Sequence, residues 1–437
     1  MRATDASLAT STSTSTSTGT AAQRIDQVVM EFSLRGGIEA VAFELQRAFR
    51  AGQIDCRVVT SVTEDTADDV KRIAPLVGHI RTRGRWRHVG RALAVPLFTL
   101  AATRFLRTSK GDDGRVVLSH GDTLTGDVCV VHAVNRANLA MKRTAGAWRW
   151  RLNPMHHWVS LRDQFMIGGL RFRRYVALSG RIIEELQQHY GVPRGRIVLI
   201  PNGVNLDRFS AVPNDRARTR DELAIPRDAP VLLFVGHEFE RKGLAHAIDA
   251  LAALGDRNVR LVVVGAGRAA PFEQRAKSLG VGPQIMFTGP REDLPRLYRM
   301  ADAFVFPTSY ESFSLTCMEA MACGLPVFAT AVGGIEDYLR DGFNGCIITA
   351  DGAAIAARLA SMFRDPNSFS RFRDGALATA LEYGWPKIAG RYVDLLEDVR
   401  REKIADPAIS HAATKRRTSF GQAGRDTTLQ ESSAPCE

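Results

Sequence analysis

Between residues 231 and 349 the chain repeats one unit: a short apolar run, a loop that usually carries glycine, then a helical pattern. The runs are Val231–Val235, Arg260–Val264, Gln284–Thr288, Ala303–Phe306, Pro326–Thr330 and Gly345–Thr349. Runs that are apolar throughout, rather than at alternate positions, belong to strands covered on both faces. Alternating with helices, they predict a parallel, doubly wound α/β sheet. Ligands of such sheets bind beyond the carboxyl ends of the strands, where the strand order reverses. Every glycine loop of the series follows a strand, so all of them fall on that edge.

The first half shows the same alternation less regularly. An apolar run, Val28–Phe32, leads into a loop containing Gly36 and Gly37. Ile38, Val41, Ala42, Leu45 and Phe49 then recur at helical spacing until Gly52 stops the pattern. Strands are expected at Cys56–Thr60, Arg115–Ser119, Val128–His132, Arg174–Ser179 and Ile197–Ile200, with a helix over Arg181–Tyr190. Residues 61–114 and 133–173 break the alternation. The turn Pro201-Asn202-Gly203 opens a polar stretch, 201–228, that predicts the connection between a domain at 25–200 and a second from 229. At about 150 residues per domain, 437 residues suit this division. Residues 1–24, a Ser/Thr repeat without an apolar segment, and the polar residues 403–437 are expected to be disordered tails. The six cysteines form no CxxC pair. They predict reduced thiols in a cytoplasmic protein, with neither a disulfide framework nor a structural zinc.

Charge is concentrated in the two irregular stretches. Residues 70–111 hold ten Lys or Arg and no acid; residues 136–174 hold nine and one acid, Asp163. Together they carry +18, against −7 for the rest of the chain. Trp86, Phe98, Phe105, Trp148, Trp150, Trp158, Phe165 and Phe172 interleave with these charges. Basic and aromatic residues together suit an anionic membrane surface, approached from the inner face; a basic domain face over core aromatics is the plainer reading. The longest apolar run, Leu93–Ala102, is shorter than the roughly 20 residues that span a bilayer. No helix-turn-helix, RNA-recognition or zinc module accompanies the charge, so nucleic acid is not the expected partner.

The candidate site residues lie at strand ends. Glu311 follows one strand, and Glu319 falls one turn into the next helix. Two carboxylates so placed can accept sugar hydroxyls from one cleft. Between them Phe313, Ser314 and Leu315 offer backbone N–H groups at the helix start, which favour a negative ligand. Arg241 and Lys242, before Gly243, form a cationic pair suited to a diphosphate. His132 ends a strand in the first half, after His120, Asp122 and Asp127, where it can accept a proton or hydrogen-bond a hydroxyl. Gly265-Ala266-Gly267-Arg268-Ala269-Ala270 mimics a dinucleotide-binding loop, but Pro271 follows and no acid ends the next strand.

The stretch from Phe304 to Val327, with Glu311 and Glu319 inside it, resembles the signature of the family 4 retaining glycosyltransferases. That family has the GT-B fold, two Rossmann-like domains facing across a cleft. Gly36-Gly37-Ile38-Glu39 with the preceding Arg35, Ala177-Leu178-Ser179, Val198–Asn205, Val235–Gly243, Gly333–Glu336 and Asp341-Gly342 are similar to the family's other motifs. Trp385 with Tyr392 resembles its closing helix, which places that helix at 383–402, the second domain ending at 382. The resemblance implies transfer of a hexose from a nucleotide sugar, a UDP-sugar by preference, to a saccharide or lipid-linked acceptor in cell-envelope polysaccharide or lipopolysaccharide synthesis. It implies that Glu311 holds the donor sugar, Glu319 the ribose, and Arg241 and Lys242 the diphosphate. It implies that Gly36 and Gly37 admit donor phosphate and acceptor, that His132 or Asp127 faces the reacting carbon, and that no metal or other cofactor takes part. Ser314 departs from the family's usual glycine. His156–Phe165 and Tyr175–Ser179 are more loosely similar to the lipopolysaccharide core glucosyltransferase branch. A hydrolytic or a non-catalytic nucleotide-sugar-binding protein on the same fold is the rival reading.

Overall fold

The computed structural model describes residues 24–405 except residue 35 and the segments 81–86, 110–114, 145–152, 211 and 213–214. The expectations for residues 1–23, Arg35, Trp86, Trp148, Trp150 and 406–437 lie outside the described residues. The described residues form two large sheets and a two-stranded one, Glu31–Phe32 with Val62–Thr63, and every pair of neighbouring strands is parallel. The first sheet has seven strands, in the order Val70–Arg72, Cys56–Thr60, Ile25–Val28, Val116–Ser119, Val128–Val131, Arg174–Ala177 and Ile197–Leu199. The second has six, in the order Ile285–Gly289, Arg260–Val264, Val231–Val235, Ala303–Phe306, Val327–Ala329 and Gly345–Ile347. In each large sheet the order reverses beside the first strand. Each large sheet therefore has a crevice at its carboxyl edge, between Ile25–Val28 and Val116–Ser119 or between Val231–Val235 and Ala303–Phe306.

The first strand lies three residues earlier than its apolar run suggested, because two of its members are buried polar residues with side-chain partners. Asp26 is buried between Arg57 (2.9 and 2.7 Å) and Arg115 (3.0 Å). Buried Gln27 donates to the Ala42 carbonyl at 2.7 Å. A buried polar group is tolerated when its partners are supplied, and an apolar count does not register them. The same holds for the polar stretch 201–228, which is folded rather than loose. Helix Asp215–Glu222 packs on helix Leu294–Met300. Its Arg220 is buried, donating to Asp302 at 2.8 Å and to the carbonyls of Met300, Arg227 and Ala229.

The irregular stretch 61–114 contains a helix of 22 residues, Arg87–Thr108. Its Val89–Thr108 part has a mean hydropathy of 1.3 and is long and apolar enough to cross a membrane, although Arg104 limits the unbroken apolar run. Ala94, Phe98 and Ala102 on its inner face pack with Val28, Val59, Ile73 and Val77 of the first domain. Phe98 and Phe172 are core side chains, which fits the plainer of the two readings of the basic stretches.

The last helix, Trp385–Ala405, runs three residues beyond the expected end and returns to pack on helix Ile38–Ala51. Its start is hydrogen-bonded to the connection between the domains: Val204 N–H donates to Tyr383 O at 2.8 Å, and Trp385 N–H to Val204 O at 3.2 Å. The Trp385 ring lies where a side chain on Gly203 would sit, 2.4 Å from an added Cβ. At its far end Lys403 donates to Arg115 O at 2.7 Å and to Asp127 Oδ2 at 3.3 Å. Asp127 also accepts from Val117 N–H at 2.9 Å. Replacing Asp127 by alanine leaves these donors short of an acceptor. It is expected to cost about 1–3 kcal/mol of stability, read from the denaturant midpoint, while nucleotide affinity stays unchanged.

Candidate active site

The crevice of the second sheet is built from two loops, Gly236–Gly243 after Val231–Val235 and Pro307–Ser314 after Ala303–Phe306. They bring together the residues that were 69 and 70 positions apart in sequence. Lys242 Nζ donates to Glu311 Oε1, Arg241 Nη1 reaches the same oxygen at 3.3 Å, and Thr308 Oγ1 donates to it at 3.1 Å. Arg241 is further fixed by the Tyr310 carbonyl and by Glu238 at 2.8 Å. Lys242 Nζ sits 4.8 Å from the Phe306 ring centroid. Glu311 is buried and both cations are partly so. Arg241 and Lys242 are answered by Glu311 and Glu238 in a partly dry crevice, and their remaining N–H donors suit an anionic ligand.

Close loop packing makes this possible. Gly333, at φ +59°, places its Cα so that any Cβ would stand 1.7 Å from the Glu311 carbonyl oxygen. A Cβ on Gly243 would stand 2.0 Å from that of Pro307. The dinucleotide-like Gly265 is explained in the same way, its missing Cβ facing the Gly236 carbonyl at 1.7 Å.

Phe313, Ser314 and Leu315 lead into helix Leu315–Ala322. Ser314 has φ 66° and ψ 85°, the left-handed region that favours glycine, and its hydroxyl caps Cys317 N–H at 3.4 Å. The family's usual glycine at this position therefore has a backbone reason. Glu319, on the same helix, accepts from the Tyr298 hydroxyl at 3.0 Å. Burial pushes its carboxyl up to about 7, the Tyr298 hydrogen bond and Arg208 opposing the shift. Glu319 lines a small cavity between the domains with Leu34, Val41, Asn205, Arg208 and Leu315. Tyr298 and Thr308 carry no local sequence signal; only the fold places them against the two glutamates. A cavity of about 660 Å³ lies elsewhere, between Ile197–Leu199 and the last helix, where Arg174 and Glu402 close one side.

The first domain faces this crevice: Gly180 N–H donates to Asp337 Oδ2 at 2.9 Å, beside the Gly333 loop. Gly36 has φ +109°, and nothing lies within 4 Å of a Cβ built on Gly37, so the loop backbone is open to a ligand. His132 ends Val128–Val131 on the carboxyl edge and meets His120 from the neighbouring strand, Nδ1 of His120 lying 3.0 Å from Nε2 of His132. Burial pushes His132 down to about 4, and burial with the neighbouring His132 holds His120 well below the usual imidazole range, so both rings are neutral at pH 7. One proton then lies between them. His120 Nε2 is buried without a hydrogen-bond partner among the described residues. An orphaned buried N–H is rarer than an orphaned lone pair, which assigns the shared proton to His120 Nδ1 and the proton of His132 to its own Nδ1. His132 thus has Nε2 occupied and presents an N–H donor, not a ready base.

Asp127 corrects the sequence expectation. It precedes Val128–Val131 and so stands at the amino edge of the sheet, held by Val117 N–H and Lys403, away from the crevice. Nearness to His132 in sequence is misleading here, because a strand of four residues separates the two edges.

Two outcomes follow from this geometry. Ser314→Gly relieves left-handed strain of roughly 1–2 kcal/mol and loses a weak cap and some unfolded-state stiffness. The net expected gain is up to about 1 kcal/mol, visible as a rise in Tm. In ¹⁵N spectra of the histidine side chains, His132 is expected as the Nδ1–H tautomer, a preference that His120→Phe removes.

Comparison with known proteins agrees with the geometry. Residues 35–208 match the family model Glycosyltransferase Family 4, and residues 215–378 match Glycosyl transferases group 1. Over 242 residues the chain is 34% identical to a D-inositol 3-phosphate glycosyltransferase of Xylanimonas cellulosilytica, covering 53% of this chain and 58% of that protein. The chain thus spans little more than half the length of this relative. The crystal structure of WaaG, a glycosyltransferase involved in lipopolysaccharide biosynthesis, superposes with TM-score 0.70 at 22% identity, covering 85% of this chain and 99% of WaaG. Anabaena Alr3699/HepE, solved in complex with UDP and glucose, gives TM-score 0.64 at 18% identity over 86% of this chain and 100% of the other. At these identities the two structures establish the fold, and the family models, which between them take up both domains, establish the kinship: the chain is a GT-B protein and belongs to the group 1, family 4 glycosyltransferases.

Proposed function

We propose that this chain transfers a hexose, with retention of configuration, from a nucleotide sugar to a saccharide or lipid-linked acceptor in cell-envelope polysaccharide or lipopolysaccharide synthesis, at the cytoplasmic face of the membrane. The observation that carries the reading is the convergence of Arg241 and Lys242 on Glu311 where the strand order reverses. When the sugar–phosphate bond breaks, negative charge grows on the departing diphosphate, and preset cations there lower the barrier. Glu311 is suited to hold hydroxyls of the sugar, and Glu319 those of the ribose. The amides of Phe313, Ser314 and Leu315 add donors at a helix start, and His132 offers its N–H from the facing domain. A UDP-sugar is favoured by analogy with HepE, whose structure holds UDP and glucose. Arg241 and Lys242 supply positive charge at the place proposed for the diphosphate.

The test is slow hydrolysis of a panel of UDP-, GDP- and ADP-sugars without acceptor, beside Glu311→Ala and Lys242→Ala. Release from one sugar, reduced on the order of 10²–10³-fold in Lys242→Ala, supports the reading. Neither release nor binding from any sugar overturns it.

The raised carboxyl of Glu319 adds a second outcome. Ribose hydroxyls donate best to the ionised form, which prevails above about pH 7. Donor affinity is expected to strengthen about tenfold from pH 6 to pH 8, measured with an intact nucleotide sugar. Glu319→Gln removes this dependence.

A further inference from the structure

We propose that the outer face of helix Arg87–Thr108 docks on an anionic lipid bilayer, the helix lying in the interface instead of crossing it. The proposal deepens the reading above by naming the surface that brings the enzyme to a lipid-linked acceptor.

The helix has two unlike faces. Inward, Ala94, Phe98 and Ala102 complete the core beneath the first sheet, and the buried Thr103 hydroxyl accepts from Leu124 N–H at 2.9 Å. Withdrawing the helix to span a bilayer would strip that core. Outward, Val89, Leu93, Leu97 and Leu100 are each 52–55% exposed. Their spacing of four, four and three residues aligns them in one stripe over three turns. The neighbouring helix, Pro154–Asp163, adds Leu161, 67% exposed. Scattered exposed leucines are ordinary, but an aligned row is a surface with a use.

The charges choose the occupant. Arg91, Arg104 and Arg107 are exposed on the same helix, and no acid occurs between residues 70 and 111. A second copy of the chain meeting this face about a two-fold axis would set arginine against arginine, since such an interface pairs a patch with itself. Anionic head groups complement the arginines, and acyl chains the leucines. The start of the helix also lies beside the open glycine loop: Arg91 Nη2 is 4.0 Å from Glu39 Oε1, in the first turn after Gly36 and Gly37.

The test is flotation of the full chain with vesicles of phosphatidylcholine alone or mixed with phosphatidylglycerol. Nucleotide-sugar hydrolysis is measured on the same samples. Binding is expected on the mixed vesicles, at least about tenfold above phosphatidylcholine alone and weakened by salt, from two or three arginines near the surface. Leu93→Gln combined with Leu97→Gln and Leu100→Gln should abolish it while hydrolysis persists, since these side chains lie outside the core. Arg104→Glu with Arg107→Glu should remove the preference for anionic lipid. Equal binding by wild type and the leucine variant overturns the proposal. So does resistance of the bound protein to alkaline carbonate, which marks a spanning helix. Concentration-dependent dimers lost in the leucine variant, without vesicle binding, assign the face to a second copy and also overturn it. Failure of the wild-type chain to bind the mixed vesicles, with its hydrolysis intact, sinks the docking surface alone. Vesicle binding without donor hydrolysis or binding leaves the surface standing and sinks the transferase reading.

Discussion

One carboxylate oxygen, Oε1 of Glu311, holds Lys242, Arg241 and the Thr308 hydroxyl together. The arrangement of the crevice depends on it. Without that oxygen two cations on adjacent residues would face each other in a partly buried place, and an unpaired buried charge costs several kcal/mol. With it, the loop after one central strand is tied to the loop after the next across the point where the sheet changes direction. Glu238 and Glu311 balance the two cations, so the crevice is stable without a ligand while its N–H donors stay placed for an anion. The glycines at 243 and 333 serve this tie, since any side chain there would force the loops apart.

The two domains divide the electrostatic work. The donor loops of the second domain meet their cations with acids drawn from within the same domain, Glu238 and Glu311. The first domain exposes Arg91, Arg104 and Arg107 on helix Arg87–Thr108 and settles its buried histidines as a neutral pair.

The second domain was legible in the sequence because its strands are unbroken apolar runs and its loops carry their own signals. Glu311, Arg241 and Lys242 stood at strand ends and met as their positions implied. Legibility failed where polar residues are buried with partners. Asp26 and Gln27 displaced the first strand, and Arg220 made a folded helix resemble a linker. It failed again where order along the chain and place in space diverge. Asp127 stands five residues from His132 and on the opposite edge of the sheet, whereas Tyr298, twenty-one residues from Glu319, touches it. The helix Arg87–Thr108 was hidden for another reason. Apolar residues cover its outer face as well as its inner one, so no contrast between faces marks it as amphipathic.

The chain passes between the domains twice, at Gly203–Val204 and at Gly384–Trp385, and the two passages are hydrogen-bonded side by side. Paired strands of chain behave as the two leaves of one hinge rather than as a tether. Sliding or twisting of one domain on the other would shear those bonds and drive Trp385 against Gly203. Rotation about the line of the passages alone preserves them. The opposing crevices are thereby left a single coordinate of approach. A sugar seated on one domain and a hydroxyl seated on the other would arrive in the same relative orientation at every closure.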